Sequence, residues 1–317
     1  MQREGSPWTG VGAIFQRELA DNLLSMRMRL LELLVLLTGT GAVYAAIGEI
    51  KNTVGEDPFV FLRIFTIARE PLPSFITFLA FLIPIVAITL AFDSINGEFG
   101  RRTMSRILAQ PIYRDALLFG KFLAGVATLA IFLTGLWLFL MGLGILLLGV
   151  PPSGEEFLRG LALLIAAIAY GGVWLALALV FSILFRAPAT AALAALSLWL
   201  LFAVFWAMIV PLVTALISPV DPFDPLTQLS ALNTATGLNR LSPNTLFAET
   251  TLALLNPGTR ALGPIFAFQL HGALVGAPLP IGQSLLLIWP QLTGLIATTV
   301  VLFTIGYVLF QRQEIRA

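Results

Sequence analysis

The chain has no cysteine, one histidine (His271) and few charges, which make up 11% of its 317 residues. Without thiols there are no disulfides, thiolate metal sites, iron–sulfur clusters or cysteine nucleophiles. One imidazole cannot build a multi-histidine metal centre within a chain. A soluble domain usually carries about a quarter charged residues, and 18 basic plus 17 acidic side chains are too few to solvate a globule of this size. The formal charge of +1 leaves no basic footprint for a phosphate backbone. Gly120-Lys121 is followed by Phe122, and Asp115 stands where a P-loop needs its first glycine. No H-E-x-x-H, no G-x-S-x-G and no carboxylate pair within an apolar run is present. These absences argue against a soluble enzyme, a disordered chain and a nucleic-acid binder. The chain is expected to be no enzyme and to hold no metal or cofactor of its own.

What is present is apolar length. Hydrophobic residues make up 58% of the chain, and its mean hydropathy is +0.94. A helix crossing a bilayer needs about 20 mostly apolar residues. Six stretches meet that need: 30–47, 75–92, 122–148, 161–184, 191–212 and 285–310. They do not alternate in polarity as outer-membrane strands do, so the expected fold is all-α, a bundle of six transmembrane helices in one domain. Glu32 is the one acidic residue inside a span, near its start and close to Arg27 and Arg29, which suit it as partners. Pro84, Pro211 and Pro290 lie in or at the ends of spans and are candidate kinks. Gly135, Gly142, Gly144, Gly171 and Gly172 offer close helix contact.

Three connecting parts stand out. Residues 11–28 are amphipathic: Val11, Phe15, Leu19, Leu23 and Met26 fall within about 120° of arc, although Asn22 interrupts it. Such a helix suits the membrane surface. Residues 93–121 are the most charged stretch; a short helix over 101–109, stopped by Gln110-Pro111, would expose Arg101, Arg102 and Arg106. Residues 213–284 are long, apolar and broken by eight prolines. They predict short helices on the outer surface, one starting at Ser242-Pro243 and ending at Asn256-Pro257-Gly258, with a re-entrant hairpin open as an option near 265–279.

Twelve of the 18 basic residues fall on one side when the N-terminus is placed inside: Arg3, Arg17, Arg27, Arg29, Arg101, Arg102, Arg106, Arg114, Lys121, Arg186, Arg312 and Arg316. Lys51, Arg63, Arg69, Arg159, Arg240 and Arg260 fall outside. The excess places both termini in the cytoplasm.

The run Leu-Ala-Phe-Asp-Ser-Ile-Asn-Gly-Glu over 90–98, then Thr103, Ile107-Leu108, Gln110-Pro111 and Gly120-Lys121, resembles the membrane subunit of ABC-2 type ABC transporters. Asn256-Pro257 and the final Phe310-Gln311-Arg312 are similar to the branch containing the nitrous-oxide-reductase maturation permease. Arg102 stands where that family usually has glycine. The resemblance implies an N-terminal elbow helix, a cytoplasmic coupling helix and a permease in the inner membrane. It further implies export driven by ATP and Mg on a separate ATPase subunit, and a second permease chain, identical or related, meeting this one through spans one and five. Glu98, Arg101, Arg102 and Arg106 would be its ATPase-coupling contacts. A secondary transporter and a non-transporting membrane scaffold stay open as alternatives, although neither midplane ionisable residues nor a catalytic set favours them. Nothing in the residues names the substrate. Sparse charge in the spans suits a lipidic, amphipathic or peptide-like cargo, or mechanical coupling with no cargo at all.

The orientation has a direct check. In this cysteine-free chain, a single cysteine at Ser153 or Thr227 is expected to react with an impermeant maleimide added to intact cells, and one at Ser105 is not. Labelling at Ser105 would reverse the topology.

Overall fold

The computed structural model describes residues 8, 10–52, 59–68, 73–104, 113–221, 223–263 and 278–313. Every regular element among them is helical: α1 (Val11–Leu24), α2 (Met26–Asn52), α3 (Val60–Thr66), α4 (Phe75–Ala91) and α5 (Asn96–Gly100). There follow α6 (Arg114–Leu148), α7 (Gly154–Leu184), α8 (Pro188–Leu200), α9 (Trp206–Ile217), α10 (Pro225–Asn239), α11 (Pro243–Leu255) and α12 (Ile281–Arg312). Among the described residues six segments are long and apolar enough to cross a membrane, and each encloses one of the stretches read from the sequence. The fifth is α8 and α9 joined by a π-helical turn at Leu201–Phe205. The protein is a multi-pass membrane protein.

The fourth span, α7, is the centre. In its most apolar stretch 83% of residues are buried, against 11% in the fifth and sixth spans. Its small residues let neighbours close in. A methyl group on Gly171 would come within 2.3 Å of the Leu129 side chain on α6, and Gly172 faces Thr299 of α12. Tight contacts on α6 include Gly144, against Phe61 and Ile64, and Gly125, against Leu175. Gly135 and Gly142 have open space around them and carry no such contact. Periodicity marks a glycine but not the face it lies on.

Both ends of α7 are tied by polar side chains. At its start, Ser153 and Glu156 form a reciprocal capping box, and Glu156 also accepts from the Phe61 N–H at 2.7 Å. One turn on, Arg159 is fully buried. It donates to Glu155, to the carbonyls of Leu254 (3.0 Å) and Leu279 (2.5 Å), and to Ser284 at 3.2 Å. One guanidinium thus satisfies the exposed carbonyl end of α11 and joins it to α7 and α12.

One helix of the segment before the last span differs from the expected surface helices. Helix α11 starts at Pro243 after Ser242 and ends at Asn256, as the dipeptides predict, but it sits inside the bundle. Phe247, Ala253 and Leu254 are fully buried, Phe247 stacks on Tyr170 at 4.5 Å, and the Tyr170 hydroxyl donates to Asn244 (2.7 Å). From Tyr170 to Arg159 is eleven residues of α7, about 16 Å of helix rise, so α11 runs beside that half of the span. Helix α10 packs instead on α9, accepting from the Trp206 indole through the Leu238 carbonyl (3.1 Å), and is largely exposed. Arg240, which follows α10, binds Glu249 at 3.0 Å, and Glu249 accepts from Gln291 of α12 at 2.7 Å. These partners satisfy polar groups that hydrocarbon would leave bare. The hairpin considered near 265–279 lies largely outside the described residues, as does His271.

Replacing Arg159 by methionine leaves Glu155 without its ion pair and several carbonyls without donors. Losing one partner of a buried pair typically costs about 3–5 kcal/mol, and because Glu155 is partly exposed we expect the lower end. A thermal midpoint in detergent unchanged from wild type would show that Arg159 is not the tie.

Candidate functional site

The charged residues singled out in the sequence gather at the other end of the bundle, where α1, α5 and the start of α6 meet. Helix α1 breaks from α2 at Ser25, whose backbone turns extended. The face it packs on α6 carries Val11, Ile14, Glu18 and Asn22 at helical spacing. Ile14 seats against Gly120, where an added methyl would come within 2.7 Å of it. Asn22, which breaks the apolar stripe of this segment, donates to Thr128 on α6 at 3.4 Å. Glu18 binds Lys121 at 2.7 Å. The helix therefore uses its polar interruptions to dock, and its stripe is not purely lipid-facing.

Lys121 is the hub. Its side chain is 3% exposed, and its ammonium lies 2.7 Å from Glu18 and 3.4 Å from Glu98. One cation thus holds a carboxylate of α1 and a carboxylate of α5. Glu98 also accepts a hydrogen bond from the Thr103 hydroxyl and lies 4.0 Å from Arg101. Beside this cluster Arg27, at the start of α2, binds Asp93 at 2.7 Å. Arg27 was expected beside Glu32; its partner is the loop instead.

Helix α5 precedes the helix expected over 101–109, of which residues 105–109 lie outside the described residues. Asn96 and Gly97, expected to break structure, are its first two residues. It stops at Gly100 because Arg102 takes a left-handed backbone (φ 56°). The Thr103 N–H returns to the Glu98 carbonyl (3.0 Å) and the Arg102 N–H to that of Phe99 (3.1 Å). That pair of bonds is the glycine-type helix stop, with arginine in the glycine position. A non-glycine residue held left-handed costs about 1–2 kcal/mol, and the Glu98–Lys121 and Glu98–Thr103 bonds hold it there. On its other side α5 is pinned to α7. The Ser182 hydroxyl accepts from the backbone N–H groups of Ile95 (3.0 Å) and Asn96 (3.3 Å), and the Asn96 amide donates to the Phe185 carbonyl (3.2 Å). Where the loop returns, Arg114 donates to the Gln313 carbonyl (3.0 Å), and Gln311 donates to Asp115. Both stems of the loop are stitched into the bundle.

Of the four expected contact residues, Arg101 and Arg102 are exposed at the tip of α5. Glu98 is buried, at 4% exposure, with its carboxylate turned to Lys121. It cannot be an outward contact in this arrangement; it positions the two arginines. Arg106 lies outside the described residues. Lys121 and Glu18 were missed as a pair. The available signal was a lone lysine heading a long apolar run, since a cation there needs a carboxylate from another segment.

Residues 12–315 match the family described as ABC-2 family transporter protein. The chain belongs to that family. It is therefore a membrane subunit of an ABC transporter. It is also similar to the probable ABC transporter permease protein NosY of Pseudomonas aeruginosa, 32% identical over 124 residues. That alignment covers 38% of this chain and 40% of the relative. The ABC-2 subunit has its buried charge cluster in the charged loop by which the family resemblance was read.

The hub separates from its surroundings by mutation. Lys121→Met strands two carboxylates in a poorly solvated site and is expected to lower stability by about 3 kcal/mol or more. Arg17→Met, which loses only the exposed pair with Asp21 at 3.7 Å, is expected to change it by less than about 1 kcal/mol. Equal thermal shifts for the two variants in detergent would remove Lys121 from its central place.

Proposed function

We propose that the chain is the permease of an ABC exporter in the cytoplasmic membrane, driven by ATP hydrolysed on a separate ATPase subunit. Its charged end faces the cytoplasm, as the basic-residue excess favours. The chain supplies no catalysis and no nucleotide site of its own. The observation that carries this reading is the pair Arg101–Arg102. Two exposed cations stand at the tip of a one-turn helix that is fastened on one side to α1 and α6, through Glu98 and Lys121, and on the other to α7, through Ser182. A mobile solvated loop would dissipate a push. A tip clamped at both stems passes it to the spans as rigid-body motion.

Six spans are about half of what such an exporter uses, so two permease chains and two ATPase subunits make the working unit. Spans one and five suit the permease contact by family resemblance, and the exposed Tyr44 on α2 with Met208, Leu212 and Leu216 on α9 are free to meet a partner. The relative's printed name makes it a permease, and the same role is proposed here.

The test reverses the tip. Arg102→Glu leaves the pair of Arg101 with the buried Glu98 in place, so the permease is expected to insert and keep its thermal midpoint. At a docked interface the reversal costs several kcal/mol, because it strands the partner's carboxylates and adds repulsion. An electrostatic anchor to lipid would lose only about 1 kcal/mol per arginine. ATPase retained on the purified permease is the readout: loss of the ATPase supports docking, and wild-type retention and hydrolysis reject it.

A further inference from the structure

Between α1, the start of α2 and the end of α4 lies a cavity of about 590 Å³, within the range of small-ligand sites. Its wall holds four cations and four carboxylates, already paired: Arg17 with Asp21, Arg27 with Asp93, and Lys121 with Glu18 and Glu98, Arg101 standing 4.0 Å from Glu98. The net formal charge is zero, with both signs at the surface of one hollow. An anion site would be built with a positive excess, and a cation site with a negative one. This wall complements a ligand carrying both charges. Lys121 reinforces the point: its ammonium has three N–H groups, and the structure gives it two carboxylate partners.

The second observation is where the hollow opens. It lies at the ends of two spans, the level of a bilayer's headgroups. Met26 and Leu31 of α2 form part of its rim. From there Leu30, Leu33, Leu34 and Leu37 continue along α2, between 46% and 65% exposed. Their spacing of i, i+3, i+4 and i+7 puts them on one side of the helix. A polar hollow of balanced charge is thus continuous with an apolar stripe running to membrane depth.

We infer that this cavity binds a zwitterionic phospholipid of the surrounding leaflet, the phosphate and ammonium of its headgroup among the paired charges of α1, α2 and α4, and an acyl chain along the leucine stripe of α2. Phosphatidylethanolamine has that chemistry. Its phosphate reaches Arg17 or Arg27 and its ammonium reaches Asp21 or Asp93, exchanging exposed ion pairs for bonds of the same sign pattern. The lipid would then wedge the elbow against the loop stem. This goes beyond transport, and it holds whether the lipid is cargo or a fixed component.

The experiment uses the full chain purified in detergent and titrated with short-chain phosphatidylethanolamine, short-chain phosphatidylglycerol and glycerophosphoethanolamine, binding being read by native mass spectrometry. The zwitterionic lipid is expected to bind about tenfold more tightly than the anionic one, which meets four carboxylates without an ammonium of its own. The headgroup without chains is expected to lose at least about a hundredfold, since it buries no methylenes. Arg17→Gln with Asp21→Asn removes one exposed charge pair, and is expected to weaken phosphatidylethanolamine binding about fivefold with an unchanged thermal midpoint. Should that variant lose stability, Leu34→Ala leaves the cavity intact and must still weaken the lipid while sparing the bare headgroup. Equal binding of the two lipids would overturn the zwitterion. Equal binding of lipid and bare headgroup would overturn the bilayer source. Unchanged affinity in both variants would overturn the site. No ATPase enters the experiment, so its failure is separable from failure of the proposed function.

Discussion

A single ammonium group, that of Lys121, sets the arrangement of the charged end. In a chain with so few ionisable residues, a cation 3% exposed at the head of a membrane span must find anions or leave the site. It finds one on α1 and one on α5. That requirement orders much of what lies around it. Helix α1 must lie along α6 closely enough for Glu18 to reach, which Gly120 permits by admitting Ile14. Helix α5 must stop after Gly100 so that Glu98 points inward, which forces Arg102 into a backbone conformation that glycine adopts freely. The two arginines are then left outside because the carboxylate beside them is taken.

The opposite end repeats the logic with another cation. Arg159 is buried, and its donors gather α7, α11 and α12 into one junction. The two hubs differ in kind. Arg159 bonds mostly to backbone carbonyls and seals a helix end, a job suited to a planar group with five donors. Lys121 bonds only to carboxylates that belong to separate segments. The first closes the bundle. The second connects α1 and α5, which belong to separate stretches of the chain.

Most of the architecture was legible because hydrocarbon leaves few choices. Apolar length alone marks six spans, and Ser242-Pro243 and Asn256-Pro257 mark the ends of α11. What was not legible depends on pairing across the chain. Nothing local in residues 243–255 distinguishes a helix on the membrane surface from one buried against Tyr170, since both are apolar with polar interruptions. Gly142 and Gly144 look alike in sequence, yet only the second lies under a neighbouring side chain. The charged loop was found, but helix α5 within it was not. The start of α5 was hidden by Asn96-Gly97, and its end by an arginine where a glycine would have announced the stop. Glu98 was picked out by resemblance and placed on the wrong side, because charge in a loop reads as surface until a buried lysine claims it.

The central claim is that Lys121 makes α1 and α5 one unit, and amide hydrogen exchange on Glu98→Gln tests it most directly. The substitution keeps shape and the Thr103 contact but removes one charge from the joint, more than 70 residues along the chain from α1. The account predicts faster exchange across 96–104 and, together with it, across the amides of α1. Acceleration confined to 96–104, with α1 exchanging as in the wild type, would contradict it.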